Sequence, residues 1–186
     1  LDLTGWQNEY WIDTPCDGLP AVLVTGPDHR PLGVDMALRG RNVRIHVWRI
    51  DVGRVPLYLL DTDCESNHPI DRWITTRLYI GDRQTRLAQY AVLGIGGMHV
   101  LDALGIQPSL LHLNEGHGAL SALERLRRAL AAGVPFEDAL AAVRRDTVFT
   151  THTPVAAGNE RYSREEMEHV LGDLARDLGA SRAPFH

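Results

Sequence analysis

The chain has 186 residues, a length that suits one domain or a part of a larger one. Its composition, 44% hydrophobic and 23% charged, is enough for an ordinary globular core. The net charge of −5 argues against a surface that binds nucleic acid. All 19 basic residues are arginines, so the chain offers no lysine for a Schiff base, a Walker-type phosphate loop or general-base catalysis.

The cysteines and the apolar runs exclude further classes. Cys16 and Cys64 lie far apart, so we expect two reduced thiols rather than a zinc site or a disulfide framework. The longest uncharged run, Leu87–Leu101, is too short and too polar to cross a bilayer. No secretory signal is visible, which predicts a cytoplasmic protein without membrane partners. Because the first residue is Leu1 rather than Met, we also expect a piece excised from a longer protein.

Residues 1–71 are predicted to be rich in β structure. A short apolar run, Ala21–Thr25, is followed by Asn42–Val52, in which β-branched and polar residues alternate. A glycine-containing turn then leads into Val55–Leu60, and two strands so close in sequence indicate a hairpin. Cys64–Asp71 is predicted to be a polar connection.

Residues 72–186 are predicted to alternate helices with short strands. The expected elements, in order, are helix Thr85–Leu104, strand Ser109–Leu113, helices Gly118–Ala132 and Phe136–Arg145, strand Thr147–Thr150, and a helix that begins after Ser163. This order is typical of a parallel sheet. The predicted fold is therefore α/β, with a Rossmann-like parallel sheet and helices preceded by the β-rich segment.

Three local expectations accompany these elements. Gly94, Gly96 and Gly97 each cost about 1 kcal/mol in a helix, which predicts that another backbone packs closely against them. Ser163 and the glutamate three residues later form a capping-box pattern for the last helix. Most of the charged stretch Asp71–Arg86, and the pair formed by Glu124 and Arg128, are expected on the surface.

The candidate site consists of two polar turns, Asn114–His117 and Thr151–Pro154, each directly after a predicted strand. Ligands of parallel sheets bind beyond the carboxyl ends of the strands. Either Glu115 and His117 face a polar ligand there, or Asn114 and Glu115 merely cap the helix that follows. His112 lies within the strand and is expected to be a core histidine.

Metal and nucleotide sites are not predicted. His112, Glu115, His117 and His152 are residue types that bind metals, but the helical His-Glu-x-x-His pattern is absent. The Gly94–Gly97 segment lies inside a helical pattern rather than directly after a strand, so it does not fit a dinucleotide fingerprint. No serine or cysteine lies in a Gly-x-Ser-x-Gly context.

Four blocks of sequence stand out: Leu78–Gln89, Leu93–Gly97, His-Leu-Asn-Glu-Gly-His at His112–His117, and Thr-Thr-His-Thr-Pro-Val at Thr150–Val155. Together they resemble the α-glucan phosphorylases, the glycogen, starch and maltodextrin enzymes, in their bacterial form. Their order and spacing make the resemblance specific, and it is strongest from Tyr58 to Tyr162.

The resemblance implies a part of the amino-terminal domain of a double-Rossmann glycosyltransferase. Such enzymes cleave terminal α-1,4-glucosidic bonds with phosphate and release glucose 1-phosphate. Their pyridoxal phosphate is held on a lysine in the other domain, so that no cofactor is expected on this chain alone. The implied partners are an α-1,4-glucan and phosphate, and homo-oligomerisation is left open.

The resemblance also implies roles for six residues. His152 matches a histidine whose main chain contacts the glucosyl 6-hydroxyl near the anomeric centre, and Glu115 matches an acidic residue of the glucosyl pocket; these two are the candidate catalytic residues. The candidate substrate-binding residues are His117, Asn114, Thr151 and Arg86, the last of these near a mobile gate. Animal relatives have Asp in place of Glu115 and Asn in place of Thr151, and the stretch Tyr79–Arg86 is shorter than their gating loop.

Two other functions stay open from the sequence. A nucleotide-sugar glucan synthase shares the double-Rossmann architecture, although no glycine-rich loop with an adjacent lysine is present. A non-enzymatic carbohydrate-binding module requires exposed aromatic platforms. The four tryptophans are dispersed along the chain, at Trp6, Trp11, Trp48 and Trp73.

Overall fold

The computed structural model of the chain describes residues 3–5, 18–78, 80–155 and 160–180. Five residues named above, Leu1, Trp6, Trp11, Cys16 and Tyr79, lie outside the described residues. Within them the fold is mixed α/β, with an antiparallel sheet, a parallel strand pair and packed helices. The α/β class is thus confirmed.

The amino-terminal part forms a four-stranded antiparallel sheet. Its strands are β1 (Val22–Leu23), β2 (Gly33–Leu38), β3 (Arg41–Val52) and β4 (Val55–Asp61). The predicted hairpin is confirmed, since β3 pairs with β4 and Val52 lies opposite Val55. The sequence reading missed β2, which pairs with β3 through a tight turn at Arg39 and Gly40, where φ is 54° and 68°. Two consecutive positive φ angles are the geometry of a type I′ hairpin turn, which glycine favours and arginine does not.

A continuous helical stretch follows the sheet, as predicted for Thr85–Leu104. The short helix α1 (Pro69–Arg72) precedes this stretch. The stretch itself consists of α2 (Arg83–Ala91), a π-helical segment (Val92–Gly96) and α3 (Gly97–Ala103). Asp82 begins α2 by accepting a hydrogen bond from the Thr85 N–H at 2.7 Å. The wider π turn contains two of the three glycines.

The close backbone approach predicted for the glycines is found at one of them. A Cβ added to Gly94 would lie 2.7 Å from the backbone nitrogen of Ser121. At Gly96 the near neighbour is a side-chain carbon of Ile45, at 2.5 Å, and at Gly97 nothing comes closer than 3.9 Å. Only Gly94 therefore brings two backbones together.

This difference predicts opposite effects of the same substitution. We expect Gly94→Ala to lower the free energy of unfolding by about 1–3 kcal/mol, because the new methyl group meets a backbone that cannot rotate away. Gly97→Ala is the matched control and should raise it by about 0.5–1 kcal/mol, since alanine is the better helix former. Urea unfolding of both variants measures the two values. Equal effects would contradict the packing described at Gly94.

The parallel pair and its crossover complete the α/β part. They comprise β5 (Leu111–Asn114), a 3₁₀ turn (Gly116–Gly118), α4 (Leu120–Ala131), α5 (Phe136–Arg145) and β6 (Thr147–Thr150). β5 and β6 are parallel, with Leu111 opposite Thr147 and Asn114 opposite Thr150. This confirms a strand–helices–strand unit whose two carboxyl ends lie side by side.

The last helix, α6 (Arg164–Ala180), packs back onto the rest. The predicted capping box is confirmed: the Ser163 hydroxyl accepts from the Glu166 N–H at 3.2 Å, and the Ser163 N–H donates to the Glu166 carboxylate at 2.6 Å. The carbonyl of Val170 accepts from the Arg39 N–H at 3.0 Å, which ties α6 to the β2–β3 turn.

One core joins the two halves of the chain. Its fully buried members include residues of β3, α2 and α6, for example Ile45, Leu87 and Val170. The division of the chain at residues 71 and 72 stays a prediction.

Two assignments from the sequence are wrong, and the charged stretch has two buried ends. Most of the described residues between Asp71 and Arg86 are exposed, as expected, but Asp71 and Arg86 themselves are buried. Glu124, expected in a surface pair with Arg128, has a side chain only 1% exposed. His112, expected in the core, is exposed, and its Nε2 lies 2.7 Å from the Thr150 hydroxyl.

The common reason is that helical and strand periodicity reports only whether residues share a face. It does not report what covers that face. The faces that carry Asp71, Arg86 and Glu124 are covered by segments of the chain that are distant in sequence.

Candidate functional site at the carboxyl ends of the parallel strands

The two polar turns meet where β5 and β6 end. Asn114 is the last residue of β5 and lies opposite Thr150, the last residue of β6. The Glu115 N–H donates to the Thr150 carbonyl at 2.8 Å, one residue beyond the regular pairing. The expectation that the turns adjoin at one edge of a parallel sheet is therefore confirmed.

The carboxylate of Glu115 holds the second turn. It accepts hydrogen bonds from the His152 N–H at 2.5 Å, from the Thr153 hydroxyl at 3.1 Å and from the Thr151 hydroxyl at 3.2 Å. These donors, first of all the His152 N–H, lower the pKa of Glu115 below its ordinary value. The side chain does not cap its own helix.

The backbone of Glu115 is strained. Its φ of 60° and ψ of −174° lie in a region that is populated almost only by glycine. A glutamate persists there because its carboxylate makes the three bonds to the neighbouring turn. Strain of this kind, held by surrounding contacts, is concentrated at functional sites.

His152 combines a fixed main chain with an uncommitted ring. Its N–H is bound to Glu115, whereas its exposed imidazole has no hydrogen-bond partner among the described residues. Thr151 is also exposed, and its hydroxyl is bound to Glu115 rather than directed to a ligand of its own. The ring of His152 is thus available to a bound molecule.

Two other candidates, Arg86 and His117, are in direct contact. Nη2 of Arg86 lies 3.1 Å from Nε2 of His117. The ring of Tyr90 meets the ring of His117 edge-on, with centroids 5.3 Å apart, and the Arg86 guanidinium lies 5.0 Å from the Tyr90 centroid. α2 therefore supports the turn that follows β5.

Glu160 and Tyr162 complete this cluster and were missed by the sequence reading. Nε of Arg86 donates to the Glu160 carboxylate at 3.1 Å, and the Tyr162 hydroxyl donates to the same carboxylate. Burial raises the pKa of Glu160, but the bonds from Tyr162 and Arg86 outweigh burial and hold it below its usual value. A buried arginine requires a counter-ion, but the sequence does not indicate which of many carboxylates supplies it, 74 positions away.

A cavity of about 330 Å³ lies beside the site rather than in it. Its walls are mainly apolar residues of β4, the π-helical segment, α3 and β5, and of the six candidates only Asn114 borders it. The six candidate residues therefore do not converge on this cavity.

The described residues contain neither a cluster of metal-binding side chains nor a helix that could span a membrane. No group of three or more histidine, cysteine, aspartate or glutamate side chains there is placed to bind a metal ion. Nor is any of the described helices sufficiently long and apolar to pass through a bilayer.

Several curated proteins similar to this chain are named glycogen or maltodextrin phosphorylases. The chain is 39% identical over 178 residues to the maltodextrin phosphorylase of Thermococcus litoralis, which covers 96% of the chain and 21% of that protein. It is 40% identical over 189 residues to a glycogen phosphorylase of Mycobacterium tuberculosis, covering 98% of the chain and 22% of the relative. A glycogen phosphorylase of Aquifex aeolicus is 34% identical over 87% of the chain.

These matches confirm the resemblance found in the sequence. They extend along nearly the whole chain, and the chain spans about a fifth of the length of the relatives it matches. No protein-family model matches the chain.

Proposed function

Since this chain corresponds along nearly its whole length to a segment of the glycogen and maltodextrin phosphorylases, we propose that it contributes part of the glucosyl pocket of a longer α-glucan phosphorylase. That protein cleaves terminal α-1,4-glucosidic bonds with phosphate and releases glucose 1-phosphate. A glucan and phosphate are its substrates.

The observation that carries the proposal is the bonding of Glu115 to the turn at Thr151–Thr153. A neutral sugar is recognised by polar groups held in definite directions, and main-chain atoms serve only if the backbone is fixed. Three hydrogen bonds that the turn donates to the strained glutamate fix that backbone. We infer that Glu115 acts as a positioning residue for His152, with Asn114 and Thr151 beside them at the rim of the pocket.

The double-Rossmann fold is part of the same proposal. The unit from β5 to β6 has the connectivity of such a domain. Val148 and Phe149 of β6 are 44% and 55% exposed, whereas parallel sheets are ordinarily covered on both faces. Both features suit a unit that lies within a larger sheet in the longer protein.

Pyridoxal phosphate does not fit this chain as a covalently held cofactor. A Schiff base requires a lysine, and the sequence contains none. We propose that the cofactor is attached elsewhere in the longer protein.

The proposed phosphorylase activity is tested with the full-length protein. We expect maltodextrin and inorganic phosphate to give glucose 1-phosphate, and the 186-residue chain by itself to give none. Turnover of ADP-glucose without phosphate would instead identify the glucan synthase. Sugar binding without turnover by the full-length protein would favour a binding module. The similar proteins favour neither of these alternatives.

Three variants of Glu115 test its positioning role. Glu115→Gln keeps an acceptor for the His152 N–H and should change kcat less than about threefold. Glu115→Gly relieves the strained backbone but removes the acceptor, so we expect kcat to fall about tenfold or more with no loss of thermal stability. Glu115→Ala loses the acceptor and keeps the strain. An equal fall for Gln and Gly would show that the charge of Glu115 matters rather than its bonds to the turn.

A further inference from the structure

The contact between Arg86 and His117 determines where the imidazole carries its proton. A guanidinium has N–H donors and no acceptor. Because Nη2 of Arg86 lies 3.1 Å from Nε2 of His117, the ring nitrogen must be the acceptor. A ring that accepts at Nε2 is neutral and carries its proton on Nδ1.

We propose that Arg86 is a positioning residue that fixes His117 as this Nδ1–H tautomer, so that His117 offers a bound sugar a donor and no acceptor. This inference rests on the proposed glucosyl pocket for its meaning, but the tautomer itself follows from the contacts within the chain.

Arg86 is well suited to this task because it is held on three sides. Its side chain is only 11% exposed, its Nε donates to Glu160, and its guanidinium stacks on Tyr90. Glu160 is in turn bound by the Tyr162 hydroxyl. A guanidinium anchored in this way keeps its orientation, whereas the side chain of an exposed arginine samples several orientations in solvent.

The opposite tautomer is disfavoured by the same contacts. A proton on Nε2 would point at the N–H groups of Arg86 and leave a buried donor without its acceptor, which is costly. The edge of Tyr90, at an interplanar angle of 77°, restricts rotation of the His117 ring away from the arginine. Nδ1 has no hydrogen-bond partner among the described residues, so its proton is available to a ligand oxygen.

The arrangement limits what a ligand can place against His117. A sugar hydroxyl or ring oxygen can accept from Nδ1–H, while a group that only donates is rejected. His117 is therefore a hydrogen-bond donor in the pocket and not a general base. Arg86 acts through it and not by contacting the substrate.

Nitrogen-15 spectroscopy of the histidine-labelled 186-residue chain tests the tautomer directly. Long-range proton–nitrogen spectra at about pH 8, above the ordinary pKa of imidazole, distinguish a protonated from an unprotonated ring nitrogen. We expect Nδ1 of His117 to be protonated and Nε2 unprotonated, with His117→Gln identifying the signal. A proton on Nε2 in the unmodified chain would overturn the proposal, whether or not any variant folds.

Variants of Arg86 test what fixes the tautomer. In Arg86→Met we expect a mixture of both tautomers, and in Arg86→Lys, which retains a cationic donor, mainly the Nδ1–H form. The spectrum of the exposed His169 serves as an internal control. A pure Nδ1–H form in a folded Arg86→Met would show that Arg86 is not responsible.

Kinetics of the full-length protein test whether Arg86 acts through His117. Arg86→Met should lower kcat/KM about tenfold in the unmodified protein and less than about twofold when His117 is already glutamine. Equal losses in both backgrounds would mean that Arg86 contacts the substrate itself, which contradicts the proposal. Absence of any phosphorolysis would refute the proposed function, whereas the spectra would still decide the tautomer.

Discussion

His152→Ala is expected to lower kcat of the full-length protein by about a hundred- to a thousandfold, the loss typical when one hydrogen bond to a charged transition state is removed. KM should change little, because the contact matters most where charge develops. The argument depends on how His152 is held. Its main chain is fixed by Glu115, and its ring is exposed and makes no hydrogen bond among the described residues.

Since the ring is exposed and makes no hydrogen bond among the described residues, the same substitution should leave stability unchanged. We expect the midpoint of urea unfolding to stay within error, so that any loss of activity reports on the substrate alone. His169→Ala, on the exposed face of α6, is the matched control and should change neither quantity. Full phosphorolysis by His152→Ala would exclude His152 from the catalytic residues.

The largest effect on stability is expected from Glu124→Ala. The Glu124 carboxylate is 1% exposed and accepts from Arg127 at 2.7 and 2.9 Å, from Arg128 at 2.6 Å and, across the fold, from Nε2 of His99 at 3.2 Å. His99 also reaches the Asp35 carbonyl of β2 through Nδ1, at 3.1 Å. Glu124 therefore links α4 through α3 to the antiparallel sheet.

Removing one partner of a buried ion pair leaves the other charges without compensation. We expect Glu124→Ala to lower the free energy of unfolding by about 3–5 kcal/mol. Glu65→Ala, at an exposed loop position, is the control and should change it by less than about 0.5 kcal/mol. Urea unfolding followed by circular dichroism measures both. A difference of less than 1 kcal/mol between the two variants would contradict the role given to the buried carboxylate.

The hydrogen bonds to Glu124 also predict that the free energy of unfolding depends on pH. Burial raises the pKa of Glu124, but the bonds from Arg127, His99 and Arg128 outweigh burial and hold it far below its ordinary value. Its stabilising contribution is therefore complete above the unfolded pKa of about 4.3 and is lost as the pH falls towards the lower folded pKa. Glu124→Gln should remove this part of the acid dependence. The stability difference between the unmodified chain and Glu124→Gln should then shrink as the pH falls below about 4.

Several elements were predictable because their causes are local. The hairpin of β3 and β4 follows from alternation and a short turn, the capping box of α6 from Ser163 and Glu166, and the helical stretch from apolar periodicity. The missed strand β2 lacks such a signal, since its turn places Arg39 at a positive φ where glycine or asparagine is expected. Its pairing with β3 is decided by burial of its apolar face, which is not local.

The sequence by itself determined the α/β class, the order of the elements from α2 to α6 and the two polar turns whose residues resemble those of α-glucan phosphorylases. Spacing along the chain is sufficient for these, because a strand followed by helices and a second strand has few ways to pack. It also determined that no lysine is available for a covalent cofactor.

Only the tertiary structure decided which side chains act together. In the folded chain the carboxylate of Glu115 is hydrogen-bonded to the turn at His152, and Arg86 lies between His117 and Glu160. Glu124 is buried and His112 is exposed. The reason is physical. A hydrogen bond or an ion pair depends on distances of about 3 Å between groups tens of residues apart, and those distances exist only after the core has set the positions of the helices and strands.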